Sequence, residues 1–332
     1  MTTEFALPRA LHKGDSIGVI VPAGPLNRER TDRALGRLQA RGFRIKTYGD
    51  IYRSRGYLAG DDDTRAAEFM AAFNDRETSA VWCGRGGYGV MRFLDRIDFD
   101  VIRRNPKLFI GFSDITALHA AIGLNTGLVT FHAPNVQDGF GKEHDMPAAN
   151  EQALWRVLGD EDLRSTVADA NDANEYTYTI PQPESQRLRT IRGGVATGRL
   201  VGGNLAVFSD ILGTPFMPST EGCILFLEDV SERLYRIDRF LTQLRLAGKL
   251  HSAAGILLGG FSYEDTDQHE NQTDIAALLD EIFAPLGIPV LAGFPAGHDP
   301  INLTLPMGGL IKLDADAQQV TLLEKAVAPR HS

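Results

Sequence analysis

Residues 108–122 read LFIGFSDITALHAAI and join the end of an apolar run to the start of a helical pattern. The run LFIGF is typical of a short buried strand, and the apolar residues from Ile115 onward recur at helical spacing. Only the residues GFSD separate the two patterns. The sequence therefore predicts an abrupt turn from strand to helix, with the side chain of Ser113 displayed at the corner.

The same order of strand and helix recurs through the first part of the chain. The strand-like runs, each followed by a helical pattern or a loop, are SIGVIV (16–21), FRIKTY (43–48), SAVWC (79–83) and LFIGF (108–112). Alternation of this kind predicts an α/β fold, with a flavodoxin-like parallel sheet covered by helices. In such sheets ligands bind at the carboxyl ends of the strands. The loops expected to form a site are PAGP (22–25), GRGGYG (84–89) and GFSD (111–114).

The chain of 332 residues is long enough for two domains, at about 150 residues per domain. We assign residues 1–140 to the first α/β domain. Residues 141–185 are polar and rich in Asp and Asn, which is typical of a connection between domains. Residues 186–332 mix helical patterns with alternating strands and are expected to form a smaller α/β domain.

Composition limits the partners of the protein. A formal net charge of −9 argues against nucleic acid or an acidic membrane surface as the partner. The chain shows no secretory signal pattern and no apolar run of about 18 residues, so a cytoplasmic location is expected. The two cysteines, Cys83 and Cys223, lie in apolar runs and are expected to be buried, reduced thiols.

The glycine-rich loop at residues 84–89 has two interpretations. Its glycines satisfy G-x-G-x-x-G, and Asp114 lies at the end of the next strand, as in the nucleotide site of an oxidoreductase. Alternatively, because glycine has no side chain, the main-chain N–H groups of this loop can approach a ligand closely and hold an anion or an oxyanion. The helical pattern after the loop is short, which favours the second interpretation.

Ser113 also has two interpretations. Nucleophiles of acyl-transfer enzymes often stand on a sharp strand-to-helix turn, which exposes Oγ and brings the first N–H groups of the helix close to a developing oxyanion. The stretch GFSD is not G-x-S-x-G, however. The alternative is that Ser113 or Asp114 simply caps the helix that begins at Ile115. Spacing alone leaves both possibilities open.

A serine nucleophile needs a base and a group that orients the base. Among the eight histidines, His132 and His298 directly follow apolar strand-like runs, and His298 lies in the turn-forming stretch AGHDP. Glu228 ends the apolar run CILFL, where a carboxylate is costly unless it is paired. It could favour a helix N-terminus or hold an imidazole. Ser113, Glu228 and His298 are thus compatible with a triad, but spacing does not require one.

Five motifs in matching order resemble the serine LD-carboxypeptidases, a family that includes the muropeptide LD-carboxypeptidases and the microcin C immunity peptidases. The motifs are CGRGGYGVMRFLDRID, IGFSDITALH, GRLVGGNLAVFSDILGT, ILFLEDVSERLYRIDRFLTQL and AGFPAGHDPINLTLPMGG. The resemblance implies that Ser113 is the nucleophile, Glu228 the orienting acid and His298 the base. It also implies an oxyanion hole from main-chain N–H groups of Gly86, Gly87 and Asp114.

The same resemblance implies a substrate and an assembly. Such an enzyme hydrolyses an LD-peptide bond and releases terminal D-alanine from murein tetrapeptide, without a metal or another cofactor. The triad is then drawn from both domains, Arg85 and Arg233 are candidates for binding the terminal carboxylate, and a homodimer is expected. The stretch FHAPN (131–135) departs from the H-G-P-M that is common in muropeptide enzymes, which bears on substrate preference. A microcin-type immunity peptidase and a nucleotide-binding oxidoreductase remain as alternatives.

Overall fold

The computed structural model describes residues 5–166, 175–263 and 274–329. These residues form two compact domains. The first contains the described residues up to 166, together with Leu303–Gly308 and the residues from Lys325 onward, and the second contains the described residues between these segments. The chain thus leaves the first domain, builds the second, and returns twice.

The sheet of the first domain is parallel except at one edge. Its strands are β1 (Ser16–Ile20), β2 (Arg44–Thr47), β3 (Ala80–Cys83), β4 (Leu108–Gly111), β5 (Thr130–His132) and β12 (Leu305–Met307). The spatial order is β12-β5-β4-β3-β1-β2, so the five parallel strands have the 2-1-3-4-5 order of flavodoxin-like folds. Strand β12 pairs antiparallel with β5 at the edge. The α/β fold expected from the sequence is confirmed.

The α-helices of the first domain alternate with its parallel strands, as the sequence predicted, and three more follow β5 in the described residues. They are α1 (Arg28–Ala40), α2 (Asp62–Asn74), α3 (Phe99–Arg104), α4 (Thr116–Thr126), α5 (Val136–Phe140), α6 (Ala148–Leu158) and α7 (Glu161–Arg164). The side chains of Asn27 and Asp61 cap α1 and α2 by accepting main-chain N–H groups of the first turn. Helix α6, in the stretch expected to connect the domains, lies in the first domain.

The segment VMRFLDRI differs from its predicted helical form. Residues Val90–Arg96 form a 3-10 helix, which begins after Gly89 in a left-handed conformation with φ 119°. Its buried residues are Val90, Phe93 and Leu94, a spacing of three and four positions that fits either a 3-10 helix or an α-helix. An apolar stretch of this length cannot distinguish the two helix types by pattern.

The second domain is built on a mixed sheet. Its strands are β6 (Tyr176–Thr177), β7 (Arg189–Arg192), β8 (Val195–Asn204), β9 (Ile224–Glu232), β10 (Gly255–Tyr263), β11 (Val290–Ala292), β13 (Leu310–Asp314) and β14 (Gln319–Leu322). The order is β6-β14-β13-β8-β9-β10-β11-β7, with β8 to β11 parallel and antiparallel strands on either side. The helices are α8 (Leu205–Asp210), α9 (Leu234–Leu246) and α10 (Ile275–Phe283).

The expectation for the cysteines holds for one of the two. Cys83 is buried in β3, whereas Cys223 is partly exposed just before β9, and both thiols are free. Cys223 precedes the apolar run ILFL, so its neighbours in the sequence suggested deeper burial than it has. Within the described ranges, no helix is long and apolar enough to cross a membrane.

Candidate active site

Ser113 lies at the sharp turn that the sequence predicted. Strand β4 ends at Gly111, a 3-10 turn covers Ser113–Ile115, and α4 continues from it. Ser113 has φ 68°, the left-handed region that is unfavourable for a residue with a Cβ. The N-cap positions of this turn and of α4 are occupied by Phe112 and Ile115, whose side chains make no capping hydrogen bond. Ser113 and Asp114 therefore lie inside the turn and not at an N-cap position, and a capping role for either side chain stays a prediction.

The glycine-rich loop after β3 lies directly against Ser113. A Cβ added to Gly86 would stand 2.7 Å from the Cβ of Ser113 and 3.0 Å from its Oγ. The carbonyl of Gly86 accepts a hydrogen bond of 3.0 Å from the N–H of Gly24, and Gly87, at φ 121°, packs on the main chain of Gly24. Since any side chain at residue 86 would displace the serine, glycine is needed here for close approach.

Three side chains fix the position of the turn. The Oδ2 atom of Asp114 accepts a 2.9 Å hydrogen bond from the N–H of Val90, which ties the turn to the end of the glycine-rich loop. The Oδ1 atom of Asn135 accepts the N–H of Phe112 at 3.3 Å. The Nε2 atom of His119 is 2.9 Å from the carbonyl oxygen of Gly111 and donates to it. The strained conformation is therefore held from both sides of the serine.

Two histidines of the first domain are buried near this turn. His119 in α4 pairs Nδ1 with the hydroxyl of Thr130 at 2.8 Å, and burial lowers its pKa to about 4. It is therefore neutral at physiological pH with both ring nitrogens occupied, which suits a structural residue. His132, which the sequence left as a candidate base, is fully buried in β5 with its ring packed edge-on against Phe112.

The second domain brings Glu228 and His298 together. Glu228 is fully buried in β9, and its Oε2 accepts a 2.7 Å hydrogen bond from Nδ1 of His298, whose side chain is 19% exposed. Gly297 precedes the histidine with φ 122°, and a Cβ there would stand 2.5 Å from the same Oε2. With the proton fixed on Nδ1, Nε2 is left as the basic nitrogen.

The neighbouring Asp229 organises the start of α8. Its carboxylate accepts hydrogen bonds from Nδ2 of Asn204 at 3.0 Å, from the N–H of Ala206 at 3.0 Å and from the N–H of Val230 at 2.8 Å. Burial is the main cause that raises its pKa to about 6, and the adjacent Glu228 adds to the effect. Glu228 thus binds an imidazole, and Asp229 binds a helix N-terminus. These are the two roles that the sequence left open for the acid at the end of this strand.

The two arginine candidates are exposed. Nη1 of Arg85 donates a 3.0 Å hydrogen bond to the carbonyl of Pro25. Arg233 lies immediately before α9 in the second domain. Among the residues that the structure describes, no group of three or more His, Cys, Asp or Glu side chains is arranged to hold a metal ion.

The nucleotide-binding interpretation of GRGGYG loses its structural basis. A dinucleotide loop runs into an α-helix whose N-terminus meets the pyrophosphate. Here the loop runs into the 3-10 helix Val90–Arg96, whose first N–H is taken by Asp114. Gly86 and Gly87 are packed against Ser113 and Gly24.

Sequence reasoning missed the residues that hold the turn. Asn135 carries no motif of its own, and His119 was not among the histidines considered as a base. A signal did exist for Arg65, a charged residue on the same face of α2 as the buried Phe69 and Ala72. A cation at such a position must have buried acceptors, which marks it for attention.

A displayed serine in one α/β domain and a buried carboxylate–imidazole pair in the other are features of serine hydrolases. Residues 17–133 match the LD-carboxypeptidase N-terminal domain, and residues 197–313 match the LD-carboxypeptidase C-terminal domain. The chain is 39% identical over 323 residues to the probable murein peptide carboxypeptidase of Bacillus subtilis (strain 168), covering 97% of this chain and 95% of the relative. The chain therefore belongs to the LD-carboxypeptidase family, and the resemblance inferred from the sequence is confirmed.

Similar solved structures include MccF and a muramoyltetrapeptide carboxypeptidase. MccF in complex with glutamyl sulfamoyl guanosine has a TM-score of 0.86 at 26% identity, covering 97% of this chain and 99% of its own. The muramoyltetrapeptide carboxypeptidase from Oxalobacter formigenes has a TM-score of 0.78 at 30% identity, covering 92% and 97%. The microcin C7 self-immunity protein MccF of Escherichia coli is 28% identical over 344 residues, covering 97% and 96%.

Proposed function

We propose that the protein is a serine LD-carboxypeptidase in which Ser113 is the nucleophile, His298 the base and Glu228 the group that orients the base. The observation that carries the proposal is the strained Ser113, at φ 68° against the main chain of Gly86. Strain of this kind costs about 1–3 kcal/mol and persists at functional sites. The bond from His298 to buried Glu228 supports the assignment of base and orienting acid.

In the proposed mechanism, Nε2 of His298 accepts the proton of Ser113 as Oγ attacks the amide carbonyl. Glu228 keeps Nδ1 protonated and stabilises the imidazolium that forms. The imidazolium then protonates the leaving amine as the C–N bond breaks. Water, deprotonated by the same imidazole, attacks the acyl-enzyme and regenerates Ser113.

The developing oxyanion is proposed to bind main-chain N–H groups of Gly86, Gly87 and Asp114. The close contact between Gly86 and the side chain of Ser113 supports this placement. Each donor of this kind is worth about 100- to 1,000-fold in kcat. The oxyanion hole would be formed by the two loops that follow the adjacent strands β3 and β4.

The proposed substrate is murein tetrapeptide, from which terminal D-alanine is released. Support comes from two relatives, a probable murein peptide carboxypeptidase and a muramoyltetrapeptide carboxypeptidase. A second candidate is a microcin-type conjugate, favoured by the TM-score of 0.86 with MccF bound to glutamyl sulfamoyl guanosine. The exposed Arg85 and Arg233 are proposed to bind the terminal carboxylate, and Arg85→Gln or Arg233→Gln should then raise KM.

The deciding experiment incubates wild type, Ser113→Ala and the matched control Ser54→Ala with murein tetrapeptide and with an aminoacyl sulfamoyl nucleoside. Ser54 lies on an exposed loop of the same domain. We expect loss of alanine, seen by mass, with wild type and Ser54→Ala and no turnover with folded Ser113→Ala. Turnover by Ser113→Ala would disprove the nucleophile, and cleavage of the nucleoside conjugate alone would reassign the substrate.

We further propose a cytoplasmic enzyme that acts as a homodimer. The unpaired state of Cys83 and Cys223 supports a reducing compartment. Fractionation of the producing cells tests the location, and light scattering of the purified protein tests the assembly.

A further inference from the structure

We propose that Arg65 is a positioning residue for catalysis, one that holds the loop at residues 84–89 in the conformation required for the oxyanion hole. The inference rests on the proposed function. Arg65 lies in α2, which contributes no residue to the proposed triad or oxyanion hole. It therefore acts only through the loops it binds.

The guanidinium of Arg65 joins two loops that follow adjacent strands. Its side chain is fully buried, and Nη1 donates to the carbonyl of Gly89 at 2.8 Å and to the carbonyl of Pro22. Pro22 lies just after β1 and Gly89 ends the loop after β3, and these strands are neighbours in the sheet. One nitrogen atom thus fixes the spacing between the two loops.

The same two loops are joined again next to the serine. The N–H of Gly24 donates to the carbonyl of Gly86, and Gly87 packs on Gly24. Arg65 therefore binds one end of these two paired loops, and Gly86, near their other end, contacts the side chain of Ser113. Movement of Gly89 or Pro22 would move Gly86 relative to the nucleophile.

Gly89 is shaped to accept this contact. It has φ 119°, and a Cβ there would stand 2.9 Å from Nη1 of Arg65 and 2.4 Å from Leu58. The N–H of Val90, the next residue, donates a hydrogen bond to the carboxylate of Asp114. The end of the loop is thus tied on one side to Arg65 and on the other to the turn that carries the nucleophile.

The charge of Arg65 is expensive to bury. Removing a cation from water is unfavourable, and here burial lowers the pKa of the guanidinium. Its Nε has no acceptor among the described residues, and its ion-pair partner Asp62 is shared with Arg92 at 2.8 and 2.9 Å. A neutral apolar residue would fill the site at lower cost, so the contacts with Gly89 and Pro22 are what the charge provides.

The consequence for kinetics is specific. Oxyanion donors act mainly in the transition state, so their displacement lowers kcat and leaves KM nearly unchanged. A displacement of about 1 Å can cost about 100-fold. Because arginine does not titrate in the working range, the pH dependence of kcat should stay that of wild type.

The test compares Arg65→Met and Arg65→Lys with the matched control Arg53→Met. Arg53 belongs to the same domain, binds both oxygens of Glu68 at 2.9 Å and donates to the carbonyl of Ala59 at 3.1 Å. It therefore also joins a carboxylate to a loop carbonyl, but it has no contact with residues 84–89 in those bonds. For each folded variant, kcat, KM, Tm and the pH profile are measured on murein tetrapeptide.

We expect Arg65→Met to lose about 100-fold in kcat with KM within about threefold of wild type and an unchanged pH profile. Arg53→Met should lose Tm but keep kcat. Equal kcat in the two methionine variants, or a loss confined to KM, would overturn the proposal. If Arg65→Met fails to fold, the test uses Arg65→Lys, because an ammonium cannot bind both carbonyls as the planar guanidinium does. A wild-type kcat in Arg65→Lys would overturn the proposal.

The outcome is separable from that of the proposed function. Turnover by Ser113→Ala would reject the serine mechanism whatever Arg65 does. If Ser113→Ala is inactive and the Arg65 variants behave as Arg53→Met does, only the positioning role is rejected.

Discussion

The serine turn of the first domain and the Glu228–His298 pair of the second are held in place by different physical means. The turn depends on main-chain geometry: a left-handed φ at Ser113 and a glycine, Gly86, packed against it. The pair depends on charge: a fully buried carboxylate that accepts the imidazole N–H at 2.7 Å. The first region should therefore be sensitive to added atoms, and the second to removed charge.

Two histidines show the same contrast within one residue type. His119 has hydrogen-bond partners at both nitrogens and a pKa lowered to about 4 by burial, so it cannot exchange protons near neutrality. His298 has Nδ1 fixed by Glu228 and a side chain that is 19% exposed. Partial access with one fixed nitrogen is what a general base requires.

The largest expected effect is in the charged region. We expect His298→Ala to lower kcat by about 10,000-fold or more, and Glu228→Gln to lower it by up to about the same factor, because the wrong tautomer is then favoured. Folding is checked by Tm, and steady-state kinetics on murein tetrapeptide gives the loss. A Glu228→Gln enzyme with near wild-type kcat would show that the carboxylate does not orient the base.

The second effect is an opposite response of the two domains to pH. The pKa of His119 is about 4 in the folded state against 6.5 unfolded, so its contribution to stability is lost as pH falls from about 6.5 to 4. The pKa of Asp229 is raised from 3.8 to about 6, so its contribution is present below about pH 4 and is lost as pH rises to 6. Each amounts to roughly 3 kcal/mol.

Hydrogen exchange, corrected for intrinsic rates, measures this response in α4 and β9 between pH 4 and 6.5. Protection of α4 should rise with pH, and that of β9 should fall. His119→Gln should abolish the first change and Asp229→Asn the second. A change of the same sign in both elements, surviving in both variants, would contradict the assignment.

The third effect tests the sensitivity of the turn to added atoms. Gly86→Ala places a Cβ 2.7 Å from the Cβ of Ser113, and the resulting displacement should lower kcat by about 100-fold. Measured kcat together with Tm separates displacement from unfolding. Full activity in a folded Gly86→Ala enzyme would mean that the serine and the loop move independently.

The smallest effect is the control for that substitution. Gly36 is exposed in α1 and has no atom within 4 Å of an added Cβ. Gly36→Ala should keep kcat and raise the free energy of unfolding by about 0.5–1 kcal/mol, because alanine loses less conformational entropy in a helix. Denaturant unfolding measures the free energy of unfolding. A lower free energy of unfolding in Gly36→Ala would contradict the open space around this position.

Local patterns predicted most of the first sheet and the corner at Ser113, because strand-to-helix alternation and the spacing of apolar residues are short-range signals. They predicted Glu228 as an acid in need of a partner, but not which partner. The contact of Gly86 with Ser113 joins loops that follow two different strands, and only the folded chain shows it. Strand β12 was missed because LPM is short and contains proline, which is tolerated at a sheet edge.

That edge strand affects how the protein can be made. Strand β12 pairs with β5, and the sequence of most of the second domain is synthesised between them. During translation the outer edge of β5 therefore stays open until residues 305–307 have left the ribosome. A pairing so distant in sequence slows folding, and an open edge invites association with other nascent chains. Production of the active enzyme should accordingly benefit from slow synthesis or chaperones that shield strand edges.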